Sequence, residues 1–163
     1  MPRWLRQHRS PWQVVAPGVE MRSFQALDSG GAAHVVAFRV APDRVHVVTG
    51  ASTTASGWRK RSSALVAVNG GFFDAAGRSL GVRIGAGKRL SRRHPADWGV
   101  FVVRNGRAQI VHTRDFTSRA GVSQAIQCGP RLVVNGRVIK LKEQWARRTA
   151  LGVQRDGRVI IAI

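Results

Sequence analysis

The sequence has few of the residues that cross-link a chain or anchor it in a membrane. Its 163 residues include a single cysteine, Cys128, which excludes an intramolecular disulfide and a thiolate metal cluster. A lone cysteine is typical of a small buried residue, and none of the five histidines is singled out as its base. No apolar run approaches the ~18 residues of a membrane-spanning helix. The basic start MPRWLRQHRSPW also lacks the apolar segment of a secretory signal.

Lysine and acidic residues are also scarce, whereas arginine is abundant. Only four of the 27 basic residues are lysines, and eight acidic residues leave a formal net charge of +19. The arginines are scattered, with dense clusters only in WRKRSS (58–63) and KRLSRRH (88–94). This pattern indicates a coding bias with a solvated basic surface. The alternative is an anionic partner such as phosphate, nucleic acid or an anionic glycan.

The strand signals predict a sheet-rich fold. A chain of this length with 44% hydrophobic residues fits one domain with a sizeable core. Asn-Gly and Asp-Gly between apolar runs are strong signals for hairpin turns, and they occur at Asn105-Gly106, Asn135-Gly136 and Asp156-Gly157. The predicted fold class is therefore α+β, a sheet-rich single domain with several antiparallel hairpins and few helices.

Two further strand regions are predicted in the first half of the chain. HVVAFRV (34–40) and RVHVVTG (44–50), joined by Ala41-Pro42-Asp43, predict another hairpin. The unbroken apolar run ALVAV (64–68) indicates a central buried strand that ends at Asn69.

Helix signals are few, and the chain ends inside an apolar segment. A short helix is predicted in GWRKRSSA (57–64), and a loop with a helical turn over 113–126. The terminal RVIIAI is a strand candidate without a polar finish, which predicts that the domain continues beyond Ile163 and is truncated here. The predicted organisation is a basic segment, 1–11, followed by one incomplete domain, 12–163.

The stretch AVNGGFFD (67–74) differs from the other Asn-Gly and Asp-Gly turns. A second glycine follows, then two aromatic residues and Asp74, with no alternating strand directly after them. Paired glycines let backbone N–H groups approach a ligand closely. A polar residue that ends a buried strand before a Gly-rich loop is also a common place for a site. On these residues alone, a tight turn and a binding site both stay open.

Five stretches together resemble a known family. In chain order they are APGV (16–19), AVNGGFFD (67–74), SLGVRIGAGK (79–88), QCGPRLVVNGRV (127–138) and RRTALGVQRDGRVIIAI (147–163). With this order and spacing the chain, from about Trp12, resembles the phosphodiester glycosidases, relatives of N-acetylglucosamine-1-phosphodiester alpha-N-acetylglucosaminidase. Bacterial members are often labelled exopolysaccharide-biosynthesis proteins. The ordered set NGGFF, GP-x-LV and R-T-A-x-G carries the resemblance.

The resemblance implies hydrolysis of a sugar–phosphate phosphodiester at the glycosidic bond, which frees a sugar and leaves a phosphomonoester. This reaction asks for an arginine fork on the phosphate and for a carboxylate and an activated water near the anomeric carbon. By match to the family motifs, Arg148 is the phosphate clamp and Asn69 hydrogen-bonds sugar or phosphate. Asp74 is the carboxylate closest to the NGGFF motif, and turn capping is the equal alternative for it.

The other predicted site residues bind the substrate or shape its pocket: Gly70, Gly71, Phe72, Gly129, Pro130 and Thr149. For Phe72 and its neighbour Phe73, packing in the core is favoured over a sugar-stacking platform. His94 and His112 are weaker acid–base candidates. No metal-ligand set is indicated, and the sequence identifies no cofactor.

One departure from the family keeps two hypotheses open. The family pattern continues into an Asp-Gly-Gly-Gly-Ser motif that this sequence lacks. The first hypothesis is a hydrolase with a sugar-phosphate or glycan substrate. The second is a non-catalytic carbohydrate- or cell-envelope-binding domain, or an inactive remnant, on the same scaffold. Nucleic-acid binding ranks last because the five tryptophans are dispersed. Family members are often extracytoplasmic or secreted, and the sequence leaves localisation and oligomeric state open.

Overall fold

The computed structural model of the protein describes residues 10–28, 31–142 and 146–163. Its strands are β1 (Gln13–Ala16), β2 (Val19–Asp28), β3 (Gly31–Val40), β4 (Arg83–Gly85), β5 (Lys88–Ser91), β6 (Gly99–Arg104), β7 (Arg107–His112), β8 (Val122–Cys128), β9 (Val133–Val134), β10 (Arg137–Val138), β11 (Ala150–Val153) and β12 (Val159–Ala162). The described part contains one α-helix, α1 (Ala55–Arg61), and 3-10 turns at Pro42–Arg44 and Thr113–Asp115. No helix in this part is long and apolar enough to cross a membrane. The predicted segment 1–11 lies outside the described residues except for Ser10 and Pro11.

These elements fall into two compact units. The terminal unit, 10–28, 31–45 and 146–163, holds an antiparallel sheet in the order β1-β2-β3-β12-β11. The central unit, 46–142, holds an antiparallel sheet in the order β5-β4-β8-β6-β7, the small β9–β10 ribbon and α1. The sheet-rich α+β class with antiparallel hairpins and few helices is confirmed.

The Asn-Gly and Asp-Gly turns join hairpins as predicted. Asn105-Gly106 connects β6 to β7, and Asn135-Gly136 connects β9 to β10. Both asparagines adopt left-handed φ angles, 48° and 50°, and so do the glycines after them. This is the turn geometry whose twist matches the strands on either side. Asp156-Gly157 lies in a longer connection between β11 and β12, where Gly157 has a φ of 86°.

The predicted hairpin of 34–40 with 44–50 is wrong. β3 pairs along its length with β2 on one side, and with β12 on the other side at Ala37–Val40. Since a strand has two edges, β3 has no edge left there for 44–50. The chain instead turns through Pro42–Arg44. The predicted short helix is confirmed as α1, which begins after Thr54, whose side chain accepts a hydrogen bond from the Gly57 N–H.

The prediction that ALVAV is a central strand is also wrong. Residues 64–68 belong to none of the strands in the described part of the chain, and Leu65 is 51% exposed while Val66 and Val68 are half-buried. The central positions of this sheet belong to β6 and β8, which pair with each other. A short apolar run does not reveal whether a neighbouring strand offers it a free edge.

The core of the central unit lies against β6 and β8. Five of the six residues of β6 are buried, as a strand flanked on both sides by others requires. The buried hydrophobic cluster comprises Val82, Ile84, Val100, Val102, Phe116, Val122 and Ala125. The core therefore packs against β6 and β8, the paired strands of this sheet.

Part of the arginine surplus is structural in the terminal unit. Glu20 pairs with Arg39 and also with Arg158, whose guanidinium lies 2.9 Å from it. The guanidinium of Arg39 also lies 4.5 Å from the centre of the Trp12 ring, and that of Arg22 lies 4.4 Å from it. The ion pairs of Glu20 therefore link β2 to β3 and to the residue directly before β12.

Candidate active site

The Gly70-Gly71 pair packs directly against the end of β8. A Cβ added at Gly70 would lie 2.5 Å from Ile126 Cδ1, so a larger residue there requires the end of the Ile126 side chain to move. Gly71 has a left-handed φ of 71°, and a Cβ added to it would lie 3.2 Å from the Gln127 carbonyl oxygen. Gly71 is therefore required by its backbone conformation and by the nearby backbone, whereas Gly70 packs against a side chain that can move, and this part of the NGGFF stretch is more than a tight turn.

Asp74 shapes the loop that follows the glycines. Its Oδ1 accepts hydrogen bonds from the Ala76 and Arg78 N–H groups, both at 2.9 Å, and its Oδ2 accepts one from Arg78 Nε at 2.8 Å. Hydrogen bonds from the Arg78 backbone and side chain hold the pKa of the Asp74 carboxyl below its usual range. The carboxylate is thus used to close its own turn, which favours the capping alternative over direct chemistry.

The exposed Phe72 forms an aromatic pair with the half-buried Trp98. Their ring centres are 4.8 Å apart at an interplanar angle of 52°, and the His94 ring lies 5.2 Å from Trp98 on a tilted plane. Phe72 remains 43% exposed and Phe73 68% exposed, so the expectation that both pack in the core is wrong. We call Phe72, Trp98 and His94 the aromatic platform.

Gly129, the residue directly after β8, packs against the Trp98 ring of this platform. A Cβ added to Gly129 would overlap the Trp98 indole ring, so only glycine lets the ring lie there. Pro130 follows through a cis peptide bond. The GP motif and the NGGFF stretch, far apart in sequence, therefore meet through Phe72, Trp98 and Gly129.

Gln127 fixes the loop that carries His94 and Trp98. Its side chain is 1% exposed, and its Oε1 accepts from the Val82 N–H at 3.1 Å and the His94 N–H at 3.0 Å. Its Nε2 donates to the His94 carbonyl at 2.7 Å and to Thr113 Oγ1 at 3.2 Å. All hydrogen-bonding capacity of this buried amide is used, as burial demands.

Sequence reasoning missed Gln127 and Trp98. A signal for Gln127 did exist: it lies two positions after Ala125 in a strand, so the two side chains share a face, and a polar residue there needs buried partners. For Trp98 no local signal was available, because its role depends on Phe72 and Gly129.

Asp97 is an exposed carboxylate next to Trp98 in the chain. Its Oδ1 lies 2.7 Å from His112 Nε2 and 3.1 Å from Arg131 Nη2, and 82% of its side chain is exposed. The hydrogen bond from His112, together with Arg131, lowers the pKa of the Asp97 carboxyl. Asp97 is thus an ionised, positioned carboxylate that the sequence reasoning did not single out.

The other predicted reactive groups are occupied or buried. His112 Nδ1 accepts a hydrogen bond from the Arg114 N–H, so Nε2 carries the proton that faces Asp97 and neither ring nitrogen is left for a substrate. Burial raises the pKa of the Cys128 thiol, which disfavours the nucleophilic thiolate. Among the described residues, no three His, Cys, Asp or Glu side chains are grouped to hold a metal ion.

The remaining predicted site residues are divided between the units. Asn69 is exposed in the central unit, directly before the paired glycines. Arg148 and Thr149 lie in the terminal unit just before β11, with Arg148 exposed and its Nη1 donating to the Arg147 carbonyl at 3.1 Å. That Asn69 and Arg148 face one pocket stays a prediction.

The comparison with known families agrees with the sequence resemblance. The family model described as phosphodiester glycosidase matches residues 62–163, which is more than half of the chain. The chain therefore belongs to the phosphodiester glycosidase family. The match begins directly after α1 and includes the NGGFF, GP-x-LV and R-T-A-x-G stretches. No curated protein matches the chain.

Proposed function

We propose that this member of the phosphodiester glycosidase family hydrolyses a sugar–phosphate phosphodiester at its glycosidic bond, in glycan or exopolysaccharide metabolism. One observation carries the proposal: the NGGFF and GP motifs meet at the end of β8 around the pair of the exposed Phe72 and the half-buried Trp98. Aromatic faces suit the apolar C–H face of a sugar ring, and the paired glycines keep side chains away from it.

The charged and polar groups are proposed to act on either side of the scissile bond. Arg148 clamps the phosphodiester anion and Thr149 adds a hydroxyl contact, while Asn69 orients sugar or phosphate. Asp97 supplies the carboxylate that an oxocarbenium-like transition state requires, because it is ionised and next to Trp98. Asp74 contributes indirectly, by holding the turn that carries Phe72.

Sugar release from a defined substrate tests the proposal. The methyl ester of N-acetylglucosamine 1-phosphate, incubated with the protein, is expected to yield free sugar and methyl phosphate, which proton and phosphorus NMR distinguish. Phe72→Ala should raise KM about tenfold, since it removes an aromatic contact of about 1.4 kcal/mol. Phe73→Ala is the matched control, because Phe73 is the neighbouring exposed phenylalanine outside the platform, and it should leave KM unchanged.

The predicted arginine clamp is tested separately by binding. Arg148→Lys loses the bidentate fork and should weaken binding of the same ester by about 1.5–3 kcal/mol in calorimetry. Arg107→Lys, an exposed arginine at the start of β7, should cost almost nothing. Equal effects of the two substitutions would contradict the clamp.

A non-catalytic carbohydrate-binding role on the same scaffold is the second candidate. The exposed ring of Phe72 beside Trp98 favours it, since stacking on a sugar needs no reactive group. Binding of the ester with loss of affinity in Phe72→Ala, but with no sugar released, would select this alternative over the hydrolase.

A further inference from the structure

A cleft of about 380 Å³ opens in the central unit beside the Asp97–His112 pair. Its walls come from the end of β7 and the following 3-10 turn on one side, and from Arg131 and the β9–β10 ribbon on the other. The volume falls within the range of small-molecule sites and exceeds the needs of a bare phosphate ion. Four lining residues, Arg131, Val133, Val134 and Asn135, belong to the family-matched stretch 127–138, but the cleft contains none of the residues predicted to bind or act on the substrate from the family motifs.

Arg131 lies in the wall of the cleft and is positioned by contacts at its stem and at one nitrogen. Its Cγ packs on β6, where a Cβ added at Gly99 would lie 3.1 Å away. Its Nη2 donates to Asp97, and Asp97 is fixed in turn by His112. Only 25% of the Arg131 side chain is exposed. Because the Cγ of Arg131 is packed and its Nη2 is hydrogen-bonded, the side chain loses little further conformational entropy when the guanidinium binds an anion.

The donors of Arg131 are not exhausted by Asp97. In the part of the chain that the structure describes, Nη1 makes no hydrogen bond, so its N–H groups are available to a ligand. Arg114 and Asp115 both line the cleft and form a long contact of 3.5 Å between exposed groups, so a second guanidinium is present there together with one carboxylate. The strong positive charge of the chain further raises the local concentration of anions.

Part of the lining of the cleft is aliphatic. Ile110 and Val133 are 41% and 56% exposed, although both line the cleft. Exposed aliphatic surface beside a fixed guanidinium suits an anion that carries an apolar group, and does not suit a bare ion or a fully polar sugar.

We infer that this cleft binds the phosphate ester on the side opposite the sugar, with Arg131 as a second anion-binding residue in addition to the proposed Arg148 and with Ile110 and Val133 contacting the alcohol group. The choice of phosphate over another anion rests on the proposed function. Arg131 and Asp97 are hydrogen-bonded to each other, and the two groups they would serve, the charged phosphate and the anomeric carbon, are joined in the substrate by a single bridging oxygen.

Calorimetric titration of the protein with phenyl phosphate in about 0.15 M salt tests the inference. Phenyl phosphate is expected to bind at least about tenfold more tightly than inorganic phosphate, because the ring covers the exposed side chains of Ile110 and Val133. Arg131→Lys should weaken phenyl phosphate binding about tenfold or more, through loss of the planar fork. Arg107→Lys is the matched control, because it makes the same substitution at an exposed arginine that does not line the cleft, and it should leave the dissociation constant unchanged.

A second pair of variants guards against misfolding of Arg131→Lys. Ile110 lies on the edge strand β7 and is partly exposed, so polar side chains are tolerated there. Ile110→Glu places a negative charge in the lining of the cleft. It should weaken phenyl phosphate binding well beyond the effect of Ile110→Gln, because the glutamine side chain has the shape of glutamate without its charge. Urea unfolding of each variant confirms that it is folded.

The outcomes separate this inference from the proposed function. Failure of phenyl phosphate to bind, or equal effects of Arg131→Lys and Arg107→Lys, would overturn the cleft assignment whatever the hydrolysis assay shows. Benzoate binding as tightly as phenyl phosphate would overturn the phosphate assignment. Binding that depends on Arg131 and Ile110, without any sugar release, would uphold the cleft and count against the hydrolase.

Discussion

Gln127 is expected to contribute more to stability than any surface group of the candidate site. Gln127→Met keeps nearly the same length and shape but removes four hydrogen bonds at once, to Val82, to both backbone groups of His94 and to Thr113. Each partner left unsatisfied in a buried place costs about 1–3 kcal/mol. Water can reach part of the His94 backbone, so the expected total loss is about 3–6 kcal/mol.

The same strand offers a matched control. Gln124 is also buried, at 7% exposure, but its side chain makes one hydrogen bond, from the Val47 N–H at 2.8 Å. Gln124→Met should therefore cost about 1–3 kcal/mol. The free energy of unfolding, measured in urea for both variants and the parent protein, gives the comparison.

A second readout connects this loss to the platform. Without Gln127 the loop carrying His94 and Trp98 loses its anchor, so the Trp98 fluorescence and the affinity for the sugar ester should both change in Gln127→Met. Neither should change in Gln124→Met. Equal destabilisation by the two substitutions, or an unaltered platform in Gln127→Met, would refute the assigned role of Gln127.

Two further predictions concern the platform and the loop beside it. Gly129→Ala should displace the Trp98 indole and weaken sugar-ester binding, whereas Gly152→Ala, where an added Cβ meets nothing within 4 Å, should not; binding titrations compare them. Because the folded-state pKa of Asp74 is lowered, its stabilising effect is complete above the ordinary aspartate pKa of about 4 and is lost as pH falls through the lower folded value. Thermal unfolding against pH should show a smaller acid dependence in Asp74→Asn.

The fold was predictable where the signal is local. The turns at Asn105-Gly106 and Asn135-Gly136 follow from the ease with which both residues adopt left-handed angles, which needs no tertiary information. The failures involve partners distant in sequence: β12 takes the edge of β3 that 44–50 was expected to use, and β6 and β8 occupy the centre assigned to 64–68.

The candidate site shows the same division. The importance of the glycine pair was predictable, because glycine adopts the left-handed angle found at Gly71 and lets the chain approach β8 closely. The platform and the Asp97–Arg131 pair were not, since Phe72, Trp98 and Arg131 acquire their roles only when β8 brings their loops together.

The most direct test of the proposed hydrolysis at the glycosidic bond is the position of the oxygen that water supplies. The reaction is run with the methyl ester of N-acetylglucosamine 1-phosphate in water labelled with heavy oxygen, and both products are examined by mass spectrometry. Cleavage at the glycosidic bond places the label on the anomeric hydroxyl of the released sugar and leaves methyl phosphate unlabelled. Label in methyl phosphate would mean that the phosphorus–oxygen bond breaks instead, and would contradict the proposal.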